Sequence, residues 1–351
     1  MSLDAHVVAR RGSFTVDLPL TAEAGSVVAL LGPNGSGKTT MLDVIAGLAP
    51  LDTGHVRVGG RIWADGSTSL PPQERRTGLV AAQHLLFPHL TALENVAFGP
   101  RSRGMRRAPA HRRAQAELDH LGIADLADRR PSALSQGQSQ RAALARALAT
   151  DPDVLLLDEP LSALDPTTRA EVRAVLGHRL AEFDGVTVLV THDPLDALTL
   201  ADQLVFIDAG RIVQAGPPAE VIVQPRDAYV AEVVGLNLYA GQPVDDSTVA
   251  TPIGPVVTSG VTHSGPSWVA FAPAAVSLFP EVPGGSPRNT FHTTVTAIEV
   301  LGQLARVRLT TDSGRPVIAE ITTTSVANLQ LQTGAEVWAT VKATEVSAYP
   351  A

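Results

Sequence analysis

The chain has 351 residues, enough for two domains, and carries 27 Lys and Arg against 35 Asp and Glu for a formal net charge of −8. That balance leaves no global footprint for nucleic acid, and the absence of cysteine excludes disulfides and thiolate metal sites. No run of about 18 apolar residues occurs and MSLDAHVVARR lacks an apolar signal segment, so the chain is expected to span no membrane by itself, while attachment to a membrane protein stays open.

Residues 5–31 alternate and then become uniformly apolar, which predicts strands leading into a buried parallel strand. Residues 27–40, VVALLGPNGSGKTT, then run from that strand through a glycine-rich turn into a helix. Gly32, Gly37, Lys38 and Thr39 fit G-x-x-x-x-G-K-[ST], the phosphate-binding loop. Glycines let backbone N–H groups converge on an anion, and the helix N-terminus adds partial positive charge at the same point. Gly32, Pro33, Asn34, Gly35, Ser36, Gly37, Lys38, Thr39 and Thr40 are therefore the expected phosphate cradle. Lys38 would neutralise the outer phosphates, and the Thr39 hydroxyl would ligate Mg²⁺. Lys38 is one of only two lysines; the other is Lys342.

Residues 54–63 read as a hairpin with a Gly-Gly turn, and 77–83 as a short apolar strand after Pro71 and Pro72. From 88 to 150 the pattern is mostly helical. Residues 153–159 and 186–191 are buried strands with a helix over 166–183 between them, and 204–215 form a hairpin with an Ala-Gly turn. Strand and helix alternation predicts an α/β domain with a largely parallel sheet and a helical insert. Composition shifts after Gly235: 241–290 is loaded with Pro, Gly, Ser and Thr, and 291–348 mostly alternates, which predicts a separate all-β domain with a short helix near 325–329. The expected domains are 1–235, with the helical subdomain at about 88–150, and 236–351.

Val154–Pro160, VLLLDEP, places two acids at the C-terminal end of a buried strand, where α/β sites gather. Asp158 suits a Mg²⁺ held through water, and Glu159 suits a base that polarises the attacking water. Leu134–Arg141, LSQGQSQR, precedes an alanine-rich helix, and Ser135 with the N–H groups at the helix start makes a second anion site, or an ordinary helix cap. Taken together, these pieces resemble the nucleotide-binding subunit of an ATP-binding-cassette transporter over about residues 1–230. The resemblance implies ATP and Mg²⁺ as cofactors and further roles by position. Gln83 matches the glutamine loop that senses Mg²⁺ and the membrane partner. Ser135, Gln136, Gly137 and Gln138 match the signature that completes the phosphate site of a second subunit. Asp165, in SALD, matches the loop that couples the two sites, and His192 matches the switch histidine at the γ-phosphate. Two departures stand out: Gln136 occupies a position usually held by glycine, and Arg11 the position of the adenine-stacking aromatic. Phe14, close to Arg11, reads as a core strand residue instead.

The resemblance further implies a homodimer with two composite sites, a separate transmembrane permease dimer, an extracytoplasmic binding protein and a peripheral place on the cytoplasmic face of the cell membrane. A C-terminal β domain on a chain without membrane spans resembles the importers of sugars, polyamines, iron, sulfate and molybdate. The stretch 275–349, with Ser286–Asn289 (SPRN) and Gly334–Val346, looks most like the oxyanion-binding domain of molybdate importers, an OB-like fold; tungstate is the allied cargo. Ser286, Arg288, Asn289 and Lys342 offer a cationic donor set without carboxylates, with Lys342 expected on an alternating strand beside Trp338 and Thr340. The alternatives are the same role for sulfate, iron, sugar or polyamine, a soluble non-transport cassette ATPase, and an oxyanion store.

Overall fold

In the computed structural model, which describes residues 1–81, 86–261 and 263–351, the chain forms two compact units, Met1–Ala219 and Glu220–Ala351. Gln83 lies outside the described residues.

The first unit starts with strands β1 (Leu3–Arg11) and β2 (Phe14–Ala22), then β3 (Val27–Leu31) and helix α1 (Lys38–Ala46). Strands β4 (Thr53–Val58), β5 (Arg61–Ala64) and β6 (Thr77–Val80) follow, then the helices α2 (Ala92–Ser102), α3 (Arg107–His120) and α4 (Gln136–Leu148). Strand β7 (Val154–Asp158), α5 (Pro166–Ala181), β8 (Val186–Val190), α6 (Pro194–Leu200), β9 (Gln203–Asp208) and β10 (Arg211–Gly216) complete the alternation. Six strands make one sheet in the order β10-β9-β3-β8-β7-β6, parallel except for the terminal hairpin. An antiparallel sheet, β2-β1-β4-β5, covers one face.

Period-two alternation along β7 sends Val154 and Leu156 to one core and Leu155 and Leu157 to the other, so the strand is apolar throughout. The first core clamps α1, through Met41, Leu42, Val44 and Ile45, between the two sheets. The second lies beneath α2, α3 and α4, which Ala92, Val96, Leu118 and Leu144 pin to the sheet. The P-loop helix is therefore held on a rigid frame. Buried Arg75 fixes its far end, donating to the carbonyls of Val44 at 2.6 Å and Ile45 at 2.8 Å, where helix acceptors lack intrahelical partners.

Helices α7 (Pro218–Val223) and α8 (Ala228–Val234) precede an all-β region. Its strands are β11 (Asn237–Pro243), β12 (Thr248–Thr251), β13 (Gly254–Val257), β14 (Ser267–Phe271), β15 (Ser277–Phe279), β16 (Asn289–Leu301), β17 (Leu304–Thr311), β18 (Pro316–Thr322), β19 (Glu336–Val341) and β20 (Ser347–Pro350), with α9 (Thr323–Asn328) between β18 and β19. They form two antiparallel sheets, β13-β12-β11-β14-β20 and β15-β19-β16-β17-β18, around one core that includes Val269, Phe271, Val307 and Ala339. This is the all-β domain expected from the composition shift, with the OB-like character that the resemblance implies. The Pro- and Gly-rich stretch 241–271 supplies strands β12, β13 and β14. One expectation is corrected: β19 ends at Val341, and Lys342 stands just past it, where the chain enters a 3₁₀ turn over 343–345. The alternation that suggested a longer strand ends because that turn redirects the backbone.

Asn237, 5% exposed, acts as a surrogate strand at the open edge of β18: its side chain accepts from the Ile318 N–H at 2.7 Å and donates to the Ile318 carbonyl at 2.9 Å. Asn237→Leu keeps the branched shape and leaves both part-buried backbone groups without this partner. It should destabilise the Glu220–Ala351 unit by about 2–4 kcal/mol in urea unfolding of the full chain; a loss below about 0.5 kcal/mol would show that the edge is held by something else.

Candidate functional site

The phosphate loop is preorganised around a lysine. Lys38, 7% exposed, donates to the carbonyls of Gly32 and Pro33, each at 2.8 Å, and approaches the Ser36 hydroxyl at 3.5 Å. The loop wraps so closely that a Cβ on Gly32 would fall 2.1 Å from the Ile207 carbonyl oxygen, so only glycine fits there. Two backbone hydrogen bonds anchor the loop's back wall: Gly210 N–H to Ser36 O at 3.2 Å and Asp17 N–H to Gly210 O at 2.8 Å. The β9–β10 turn thus joins the loop to the antiparallel sheet.

The cleft in front, about 200 Å³, is lined by Asn34, Gly35, Lys38, Thr39 and Thr40 with Glu159 at one side and Arg11 at another. Arg11 is exposed, whereas Phe14 is half-buried against the β1–β2 core and close to Gly37. Burial lowers the Lys38 pKa, opposed by the charges of Glu159 and Asp158. Burial raises Asp158; Glu159 and Asp43 add to the rise, while Lys38 and a hydrogen bond with Thr39 work against it. Asp43 on α1 is raised by its own burial, with Arg11 opposing. A cluster of oxygen acids thus surrounds a single ammonium, short of positive charge. The hydroxyl of Thr39 beside the carboxyl of Asp158 is a hard-oxygen pair of the kind Mg²⁺ takes alongside phosphate oxygens.

Glu159 follows β7 with φ 48°, a left-handed conformation that is costly for a residue with a side chain. Its surroundings over-determine it. Its N–H donates to the Val190 carbonyl at 2.9 Å, and its own carbonyl accepts from the Ser162 hydroxyl at 3.0 Å and the Ser162 N–H at 3.3 Å. The twist turns the carboxylate out of the sheet, where His192 Nδ1 stands 3.4 Å from Glu159 Oε2. Side chains of both remain accessible, 29% for Glu159 and 54% for His192. The arrangement brings the glycine-rich loop, a carboxylate and an imidazole to one edge of a parallel sheet, a set of groups with which a nucleotide can be hydrolysed.

Family models agree. The ABC transporter model matches residues 16–162, and a TOBE domain model matches 285–348. The chain belongs to the ABC transporter family. It is an ATP-hydrolysing subunit of that family. Similar proteins include the Molybdenum import ATP-binding protein ModC of Mycobacterium tuberculosis, 41% identical over 100% of this chain and 97% of its own. Fe(3+) ions import ATP-binding protein FbpC 1 of Rhizobium meliloti is 40% identical over 80% of this chain and 81% of its own. FbpC of Brucella abortus is 36% identical over 90% and 89%.

In this ABC ATPase, Ser135 caps α4 in a reciprocal box: its hydroxyl accepts from the Gln138 N–H at 3.3 Å and its N–H donates to Gln138 Oε1 at 3.0 Å. Gln136, exposed, is the first residue of the helix. Gly137 is buried against α5, and a Cβ there would lie 2.5 Å from Thr168 Cγ2. Asp165 caps α5, accepting from the Thr168 N–H at 3.1 Å, and hydrogen bonds with Thr168 hold its carboxyl below the ordinary value. Sequence reasoning passed over Arg169. From the first turn of α5 it donates to the carbonyls of Leu161 at 3.1 Å and Ser162 at 3.2 Å, and to Asp193 Oδ2 at 2.7 Å. It therefore ties the loop after Glu159 to the residue after His192. Its place four residues beyond Asp165 was the available signal.

In the β unit, Asn289 pairs with Val341 across β16 and β19, so the flanking Arg288 and Lys342 come to the same end of the sheet, both exposed. Asn289 itself is buried, and its amide donates to the Val257 carbonyl at 2.9 Å and accepts from the Val257 N–H at 2.6 Å. That bonding makes it a strut under the site rather than an open donor. Ser286 is exposed in the preceding turn.

Asp158 gives the site a signed pH dependence. Its pKa lies above the ordinary 3.8, so the folded chain takes up that proton more readily than the unfolded one. Its ionisation therefore weakens folding, and the loss sets in as pH rises from 3.8 through the raised value. Asp158→Asn should raise the thermal midpoint of the nucleotide-free protein at neutral pH while abolishing ATP hydrolysis; a lowered midpoint would contradict the charge balance described.

Proposed function

We propose that this subunit powers the import of molybdate, with tungstate as an allied cargo, through a separate membrane permease. ATP would lie on the N–H groups of residues 34–40, with Lys38 at its outer phosphates. Thr39 and Asp158 would hold Mg²⁺, which supplies charge neutralisation at the phosphates when bound; Gln83 is assigned to the same ion on resemblance alone. Glu159 would take a proton from the attacking water, held in line by the strained backbone and by Ser162 behind it. His192 would contact the γ-phosphate and, through Glu159, couple its presence to the base. Arg11 stands where the base of the nucleotide would lie and can offer a stacking plane.

Two copies would pair head to tail, with the Ser135–Gln138 signature of each at the phosphates of the other and Asp165 coupling the two. Among the described residues no helix is long and apolar enough to cross a membrane. A permease dimer and an extracytoplasmic oxyanion-binding protein would complete the importer, with this subunit peripheral on the cytoplasmic face of the membrane.

The observation that carries the cargo is the placing of Arg288 and Lys342, each next to the Asn289–Val341 pair, at one end of the β unit, in a chain whose full length matches a molybdenum import protein. A cationic end suits an oxyanion and does not suit ferric ion, the cargo named for the FbpC relatives. Calorimetric titration of the full chain with molybdate, sulfate and phosphate tests this. Molybdate should bind in preference to sulfate, and Lys342→Ala should remove that binding while leaving ATP hydrolysis in place. Failure of any oxyanion to bind would reopen the cargo.

For the ATPase, Glu159→Gln should retain ATP, accumulate as a dimer on size exclusion with ATP, and lower hydrolysis by about 10²–10⁴. A wild-type rate would remove Glu159 from the role of base.

A further inference from the structure

A second cleft lies wholly within the Glu220–Ala351 unit, apart from residues 286–289 and Lys342. Its volume is about 330 Å³, the lower end of the range for small-molecule sites. One wall is the outer face of β17, where Arg306 and Arg308, two residues apart, point the same way. Helix α8 forms the opposite wall and brings Ala228, Ala231 and Glu232. Leu236 and Leu238, each part-exposed, add apolar surface, and Pro273 lines the cleft as well.

The charges in this cleft are unusually incomplete. Arg306 reaches Glu320 with Nη2 at 3.4 Å, yet its Nε is buried without a partner. Among the described residues Arg308 makes no ion pair and no side-chain hydrogen bond, and Glu232 lies beyond ion-pair distance of both arginines. With Glu320 balancing Arg306, the remaining charges lining the cleft are one cation, Arg308, and one anion, Glu232, not paired with each other. A multiply charged oxyanion would meet Glu232 unfavourably, and a simple cation would meet the arginines. The complement is a small zwitterion with an apolar body: a carboxylate for the guanidinium groups, an ammonium for Glu232, and hydrocarbon for the alanine, proline and leucine surfaces.

We infer that this cleft binds a free apolar α-amino acid, with Arg308 and Arg306 taking its carboxylate and Glu232 its ammonium. The inference stands independently of the cargo, since it uses none of the residues assigned to molybdate or to ATP. The experiment is calorimetric titration of the full chain with L-leucine and L-phenylalanine. It is run alongside 4-methylpentanoate and isopentylamine, the analogues of leucine lacking the ammonium and the carboxylate. One of the two amino acids should bind saturably. Both truncated analogues should bind at least about tenfold more weakly than leucine where leucine binds, and Arg308→Gln and Glu232→Gln should each weaken the bound amino acid by at least about tenfold. Both substituted residues are exposed, so ATP hydrolysis without amino acid and the thermal midpoint should stay at their wild-type values. Absence of saturable binding by both amino acids up to about 10 mM overturns the inference. So does binding that both variants leave unchanged, or a 4-methylpentanoate that binds as well as leucine.

Discussion

The first unit depends on keeping one ammonium out of bulk water without neutralising it. Lys38 gives up hydration on burial and is repaid by two carbonyl oxygens of its own loop at 2.8 Å, contacts that neutralise nothing. The full positive charge is kept for an incoming anion. That arrangement sets the neighbouring constraints. The loop must close tightly, so Gly32 is pressed against the Ile207 carbonyl, and the β9–β10 turn must brace it from behind. The helix that carries the lysine must not shift, so it is sandwiched between two sheets and tethered by Arg75.

The acids around the lysine are the other side of the same constraint. Burial raises the proton affinity of Asp158 and of Asp43, the charges of Glu159 and Asp43 raise that of Asp158 further, and one lysine does not offset them. Nucleotide-free, the site is electrostatically uncomfortable, and a structure that binds a charged ligand in such a place gains stability from it by mass action. The strain at Glu159 has the same character: a left-handed residue held by Val190 and Ser162 is a local expense that aims a carboxylate.

Much of this was legible in the order of residues. The P-loop spacing, the apolar strand ending in Asp158-Glu159 and the His192 that follows another buried strand each name an element and a place on it, because parallel strands end on the same edge of the sheet. The Gly59-Gly60 and Ala209-Gly210 turns were legible as well, since Gly59, Gly60 and Gly210 take the positive φ values that such turns require. Other features depend on contacts between distant segments and left no local trace. Arg75 reads as one of many arginines until the end of α1 is brought against it. Asp43 looks like a solvent-facing helix residue until β7 is placed beside it. Lys342 was misread because alternation continues one step further than the strand, and Asn289 because a polar residue in a turn motif looks like a donor to solvent until Val257 takes both ends of its amide.

The reciprocal cap at Ser135 carries a consequence for how the proposed dimer would be assembled. A hydroxyl has lone pairs to accept with and one hydrogen to give. In this chain the acceptor side is occupied by the Gln138 N–H, which leaves the hydrogen uncommitted. Capping and phosphate contact therefore do not compete for the same valence; the first fixes the direction of the second. An aspartate would terminate the helix as well, but would confront a phosphate with like charge and no proton to share. An alanine would lose the cap and the donor together. Serine is thus a two-faced connector, stapling its own helix on one side and holding a ready-oriented proton on the other, so that in the proposed dimer the partner's nucleotide would meet a surface already set before it arrives.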